Sequence, residues 1–240
     1  MHEMTEFERR ARLVAPYFNK KLRRGKDILP PPFIVELLGT PSGGKSTLIR
    51  ELDKFLKRQG FRVWHPQEGA EAVRYLDRTT YFYNLATGFY GYQILMQESE
   101  GHQYDFVLFE RCVFDAYTWM KYSNKKGQLT AEMMRMLQES FLVCAPRIDC
   151  AFFVVSQPDT AMKRETKNEL TRQLGNHTRP EVIQFLYECN VESYNELKNS
   201  FTNLFLFDTT CMQEKEMVQS VARIMLDVLE KKIIAISTDG

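Results

Sequence analysis

The sequence predicts a three-layer α/β fold: a five-stranded parallel sheet with helices on both faces. Three observations carry that expectation. Short apolar runs recur at residues 33–38, 61–64, 105–109, 150–155 and 204–207. Such runs, nearly unbroken by polar residues, suit strands covered on both faces, as in parallel sheets. Between them lie stretches of helical periodicity, the alternation that returns each strand to the same direction.

The composition sets the frame. The chain has 240 residues, 44% hydrophobic and 26% charged, with a net charge of +1. That is enough chain to bury a core without disulfide or metal staples. The near-neutral balance gives no global pull toward nucleic acid or anionic membrane. No apolar run approaches the ~18 residues of a membrane helix, and the charged start, MHEMTEFERR, does not read as a secretory signal. Five cysteines, Cys112, Cys144, Cys150, Cys189 and Cys211, are odd in number and form no C-x-x-C, and the four histidines show no ligand spacing. A disulfide framework or zinc site is not expected, and a reducing, cytoplasmic compartment fits.

Each element has its own signal. Residues 1–29 read as a charged, weakly amphipathic helical extension, with a basic knot at Lys20, Lys21, Arg23, Arg24 and Lys26. The knot reads as a solvated helix end or as a docking arm for a partner or polyanion. Pro30, Pro31 and Pro32 end any helix there and open the main domain, residues 30–240. After the first strand, residues 45–59 put Leu48, Ile49, Leu52, Phe55 and Leu56 on one face, with Gly60 as C-cap. The second strand follows at 61–64, then two helical stretches across 69–100. The third strand leads to helices at 113–122 and 130–143, and the fourth to helices near 159–167 and 181–198. The fifth precedes an amphipathic closing helix at 213–232. Ligands of such folds bind beyond the C-terminal ends of the strands, so the residues just after each strand matter most.

Directly after the first strand stand Gly39, Thr40, Pro41, Ser42, Gly43, Gly44, Lys45 and Ser46, followed by Thr47. This is a complete G-x-x-x-x-G-K-[ST] phosphate loop. Its glycines let backbone N–H groups wrap an anion, and the following helix adds the positive end of its dipole. Lys45 would reach the β- and γ-phosphates, and the Ser46 hydroxyl would hold Mg²⁺. Four fixed positions arise by chance in roughly one percent of chains this long, and the strand before and helix after lower that further. ATP or GTP binding follows. The base-reading N-K-x-D of signalling GTPases has only Asn124-Lys125-Lys126-Gly127 as its nearest string, which lacks the Asp and follows a helix, so ATP is expected.

The third strand ends in Glu110-Arg111. A carboxylate at that tip can hold Mg²⁺ and the arginine can bind a transferring phosphoryl group. The segment 109–117, FERCVFDAY, resembles the E-R-S element of deoxynucleoside kinases and the D-R-Y element of thymidylate kinases. Residues 156–164, SQPDTAMKR, resemble the segment leading into the lid of those kinases. Residues 181–197 are similar to the helix after the lid, and 204–209 to the last strand and adenine-side turn. The resemblance spans roughly residues 33–232 and implies a P-loop NTPase fold and a phosphate-loop kinase. The chain departs from the pattern twice: Leu38 stands before the loop's first glycine, with Glu36 inside the strand instead, and Cys112 follows the arginine.

The resemblance implies further roles. Glu68, in H-P-Q-E-G after the second strand, would orient or deprotonate the acceptor, with Glu71 in reserve; by itself it is also a helix-starting acid. Residues 74–93 carry seven aromatics amid Arg74, Arg78, Asn84 and Gln93. Much of this is core packing, but stacking faces plus amides also suit a nucleobase. Tyr81-Phe82-Tyr83-Asn84 resembles the F-x-F-Q of deoxynucleoside kinases, which makes Arg74, Tyr83, Asn84 and Gln93 acceptor candidates. A lid over about 163–180 holds Arg164 and Arg172, which could stabilise charge on the transferring group. The expected protein is a Mg²⁺-ATP-dependent kinase acting on a small-molecule acceptor, a nucleoside or nucleoside monophosphate. No membrane or nucleic-acid partner is expected, and a homodimer is left open. The alternatives are a kinase of another small molecule or a polynucleotide end, and an ATP-binding regulatory protein with little turnover.

Overall fold

The computed structural model describes residues 4–18, 31–168 and 179–238, with the side chains of 166–168 and 236–238 left aside. Its elements in chain order are α1 (Glu6–Phe18), β1 (Phe33–Gly39), α2 (Lys45–Arg58), β2 (Val63–Trp64), α3 (Gly69–Ala72), α4 (Tyr81–Ser99), β3 (Phe106–Glu110), α5 (Val113–Lys125), α6 (Ala131–Leu142), β4 (Cys150–Val155), α7 (Pro158–Asn168), α8 (Pro180–Leu197), β5 (Leu204–Asp208) and α9 (Glu214–Thr238).

All strand pairs are parallel and the order is β2-β3-β1-β4-β5. The central strand β1 is buried along its whole length, which explains its unbroken apolar character. Successive side chains alternate between the two faces. Phe33, Val35 and Leu37 join one core with side chains of α1, α2 and α9; Ile34 and Leu38 join another with α4, α5 and α8. The predicted three layers are these two helical layers and the sheet between them. Because β3 lies directly beside β1, with Leu37 in register with Glu110, the tip of β3 stands next to the loop that follows β1.

The structure differs from the sequence reading at three places. β2 pairs with β3 through Val63 and Trp64 only. Phe61 leaves the ladder and packs its ring against Phe18 and Phe106, at centroid distances of 5.8 and 5.1 Å. The closing helix runs on to Thr238 rather than stopping near 232. The N-terminal extension is helical over 6–18 and contributes to the core: Ala11, Val14 and Phe18 are buried there, and Arg10 pairs with Asp227 and Glu230 of α9. The basic knot at 20–26 lies outside the described residues. Among those described, no helix is long and apolar enough to cross a membrane.

Candidate active site

The phosphate loop is fixed on both sides before any ligand enters the argument. Gly39 adopts φ 131°, and a Cβ there would stand 2.0 Å from the Val154 carbonyl oxygen, so only glycine fits. The Thr40 N–H donates to that carbonyl at 3.2 Å, and the Thr40 hydroxyl accepts from the Ser156 N–H at 3.1 Å. From the turn after β5, the Thr209 hydroxyl donates to the Gly43 carbonyl at 2.8 Å. Arg164 completes this brace, donating to the Thr209 hydroxyl (2.9 Å), the Thr209 carbonyl (2.7 Å) and the Ser42 carbonyl (3.3 Å). Its guanidinium thus ties α7, the loop and the β5 turn together at the wall of the phosphate cleft. Ser42, itself at φ 53°, donates its hydroxyl to Glu165.

Lys45 opens α2, buried, with its ammonium donating to the Thr40 carbonyl at 2.8 Å. Burial lowers its pKa, and the nearby Arg111 adds to that, while Glu110, Asp115 and Glu68 oppose it. The Ser46 hydroxyl donates to Glu110 at 3.0 Å. One hydroxyl and one carboxylate side by side are the hard-oxygen donors that Mg²⁺ takes from a protein when phosphates and water complete its shell, so the pair fits that ion.

Arg111 holds the middle of the site. It sits at φ 65°, uncommon for a side chain of this size, with its N–H donating to the Leu37 carbonyl at 3.0 Å. Its Nε lies 2.9 Å from Glu68 Oε1, an ion pair without an aligned hydrogen bond, and its Nη1 lies 3.9 Å from Asp115. Burial works against the Arg111 charge, but Asp115, Glu68 and Glu110 together outweigh it and raise its pKa. Burial likewise raises Glu68, and Arg111 pulls it back. Asp115, 3% exposed, is raised by burial and pulled down by Arg111 and Lys45.

Glu36 finds its partners here. Its carboxylate accepts from the backbone N–H groups of Cys112 (2.8 Å) and Asp115 (2.9 Å) on Oε1 and of Phe114 (3.2 Å) on Oε2. The strand acid is therefore a clamp from inside the sheet on the turn that presents Arg111 and on the first turn of α5.

Two clefts meet at this turn. The phosphate cleft, about 650 Å³, holds Lys45, Ser46, Glu110 and Arg164; the second, about 330 Å³, holds Tyr83, Asn84, Thr87 and Asp115; Pro41, Glu68 and Arg111 line both. Tyr83 is oriented by its hydroxyl, which donates to the Ala70 carbonyl at 2.9 Å. Asn84 is 8% exposed and turned into the cleft, and the Thr87 hydroxyl one turn on has no protein partner. Two acceptor candidates need correction. Gln93 is exposed and lines neither cleft. It follows Asn84 by nine residues, about 900° of helix, which sets it on the opposite side of α4. Arg74 is also exposed outside both clefts; Arg78 lines the second cleft instead. Arg172 lies outside the described residues. Asp115 and Thr87 escaped the sequence reading; Arg111 precedes α5 in a left-handed conformation, so no helical spacing announced its approach to Asp115.

A family described as AAA domain matches residues 34–205. No curated protein matches the chain in sequence. Among solved structures, deoxyadenosine kinase from M. mycoides with bound dATP superposes with a TM-score of 0.57 at 16% identity, covering 80% of this chain and 98% of that one. Thymidylate kinase from Candida albicans gives 0.57 at 10% identity, covering 81% and 91%. At these identities the likeness is one of fold, and it is the fold the phosphate loop and the Glu-Arg pair foretold.

Proposed function

The chain belongs to the AAA domain family, and from that premise and the site above we propose that it is a Mg²⁺-ATP-dependent phosphotransferase whose acceptor is a nucleoside or nucleoside monophosphate. One observation carries the reading: Glu68 and Arg111, 2.9 Å apart, line both the phosphate cleft and the second cleft. A base and a cation at the shared wall of a phosphate site and an organic-ligand site are what transfer between the two requires. The fold likeness to a deoxyadenosine kinase and a thymidylate kinase supports it.

Lys45 and Arg111 neutralise charge on the γ-phosphoryl group. Ser46 and Glu110 would hold Mg²⁺, which would supply neutralisation of the phosphate charge. The acceptor oxygen bonds to the γ-phosphorus as the bond to the β–γ bridging oxygen breaks, and ADP leaves with that electron pair. For a hydroxyl acceptor Glu68 takes the proton that the attacking oxygen gives up; for a phosphate acceptor it orients the attacking oxygen. Burial brings its pKa closer to neutral and so improves it as a base. When Arg111 turns to the phosphoryl group, the carboxylate it now pairs becomes available. Asn84 and Thr87 offer the acceptor an amide and a hydroxyl, and Tyr83 an aromatic wall. Arg164 acts by holding the loop to β5, and Arg172 belongs to the reading as a lid cation.

The test is ADP release from Mg²⁺-ATP across a panel of nucleosides and nucleoside monophosphates. Release stimulated by one acceptor and lost in Lys45→Ala is expected. ATP binding with no acceptor-dependent release from any member would refute the assignment and favour a nucleotide-sensing role.

A further inference from the structure

The second cleft does not end at Asn84. Asn84 and Arg78 also line a neighbouring recess of about 250 Å³. Three separate parts of the chain contribute a basic residue to its lining: Arg78 from the turn before α4, Lys126 from the end of α5, and Arg179 from the start of α8. No aspartate or glutamate lines it. Among the described residues, none of the three cations is in an ion pair, whereas the α5 lysines just before them are. Lys121 pairs with Glu196 at 2.5 Å and Lys125 with Glu192 at 2.7 Å. Two of the three are already oriented by aromatic faces. The Arg78 guanidinium lies 5.6 Å from the Tyr83 ring centre, and the Lys126 ammonium 5.0 Å from that of Phe185. In a chain of net charge +1, such an excess is not a by-product of basic composition. Three like charges converging without a counter-charge repel one another, and an anion bound among them removes that repulsion.

We propose that the acceptor carries an anionic group, a phosphate or carboxylate, at the end remote from the oxygen that is phosphorylated, and that Arg78, Lys126 and Arg179 hold it. The proposal rests on the acceptor reading above and narrows it. The favoured acceptor is a nucleotide whose reacting hydroxyl meets Glu68 while its own phosphate passes Asn84 into the recess. A bare nucleoside fills only the first compartment.

The experiment compares acceptors that share a free 5′-hydroxyl: nucleosides, their 3′-monophosphates and their 3′-hemisuccinates. Wild-type protein should favour an anionic acceptor over the neutral one by about tenfold in kcat/KM, the increment of a few charge-assisted contacts at a partly exposed site, expressed in KM. The stronger of the two anionic arms identifies phosphate or carboxylate. The ratio should shrink in about 0.5 M salt and fall to one or below in Lys126→Glu/Arg179→Glu, while Lys126→Arg retains it. A ratio of one for both anionic acceptors, or a ratio unmoved by the double substitution, overturns the proposal. If nothing in the panel releases ADP, the acceptor reading itself has failed. The recess is then judged by calorimetric titration of nucleoside 3′-monophosphates into protein saturated with Mg²⁺ and a non-hydrolysable ATP analogue. Binding weakened about tenfold by the double substitution supports it, and equal or absent binding overturns it.

Discussion

Replacing Glu36 by glutamine probes the least expected feature of the site. Glu36 is wholly buried, and burial is the largest influence on it, pushing its pKa from an ordinary 4.5 to about 8 against the pull of three backbone N–H donors. The sign follows from linkage. A carboxyl whose folded pKa lies above its unfolded one holds a proton in the folded state that the unfolded state has released. Its contribution to stability is therefore complete below pH 4.5 and declines as pH rises toward 8. Between pH 5 and pH 7 the decline amounts to about 2–3 kcal/mol. Glutamine keeps an amide oxygen for the Cys112 and Asp115 donors, gives up the Phe114 bond because its nitrogen cannot accept, and cannot titrate. Denaturant unfolding of both proteins at pH 5 and pH 7 isolates the term, because the other buried acids are common to both. Wild type should lose about 2–3 kcal/mol more than Glu36→Gln over that interval. Parallel changes in the two proteins would mean that Glu36 stays ionised when folded, and the reasoning from burial would be refuted.

Two further outcomes test the fold and the acceptor cleft. Phe18→Ala removes a ring that is 4% exposed and touches Phe61 and Phe106; it should cost about 3–5 kcal/mol and lower Tm by ~10 °C, and a change under ~2 °C would show that α1 is not part of the core. Asn84→Ala should raise the acceptor KM about tenfold with little change in kcat, since it deletes a buried amide facing the ligand, while Gln93→Ala should alter neither; equal effects of the two would contradict the phase of α4.

Much of this architecture was legible for a simple reason. β1, β3 and β4 are covered on both faces, so burial wrote nearly unbroken apolar runs into the sequence. The edge strand β2 misled for the complementary reason. Phe61 is apolar because it packs under α1, while Arg62 is held by Asp105, whose carboxylate accepts from its backbone N–H at 2.7 Å. Apolar character alone cannot separate those two causes. The phosphate loop was legible because its chemistry lies in side chains and glycines at fixed spacing. The cleft proposed for the acceptor was half legible. Residues 74–93 advertised polar and aromatic groups, but which of them face a ligand depends on helical phase, and Asn84 and Gln93 are half a turn apart in phase.

Glu36 marks where side-chain letters stop informing. An acid in the middle of the central strand is visible at once, and it demands a partner, because an unpaired buried carboxylate is costly. Its partners are amide groups 76 to 79 residues downstream, and an amide carries no letter. Only the register of β1 on β3, which sets Glu36 opposite Phe109, brings the carboxylate under the turn at Arg111. The same register puts Leu37 opposite Glu110, and hence Ser46 within reach of it. One strand pairing thus positions the arginine through its backbone clamp and Glu110, the carboxylate proposed for the metal, through its neighbour. The anomaly at Glu36 and the candidate catalytic pair at 110–111 are two consequences of a single contact in the sheet.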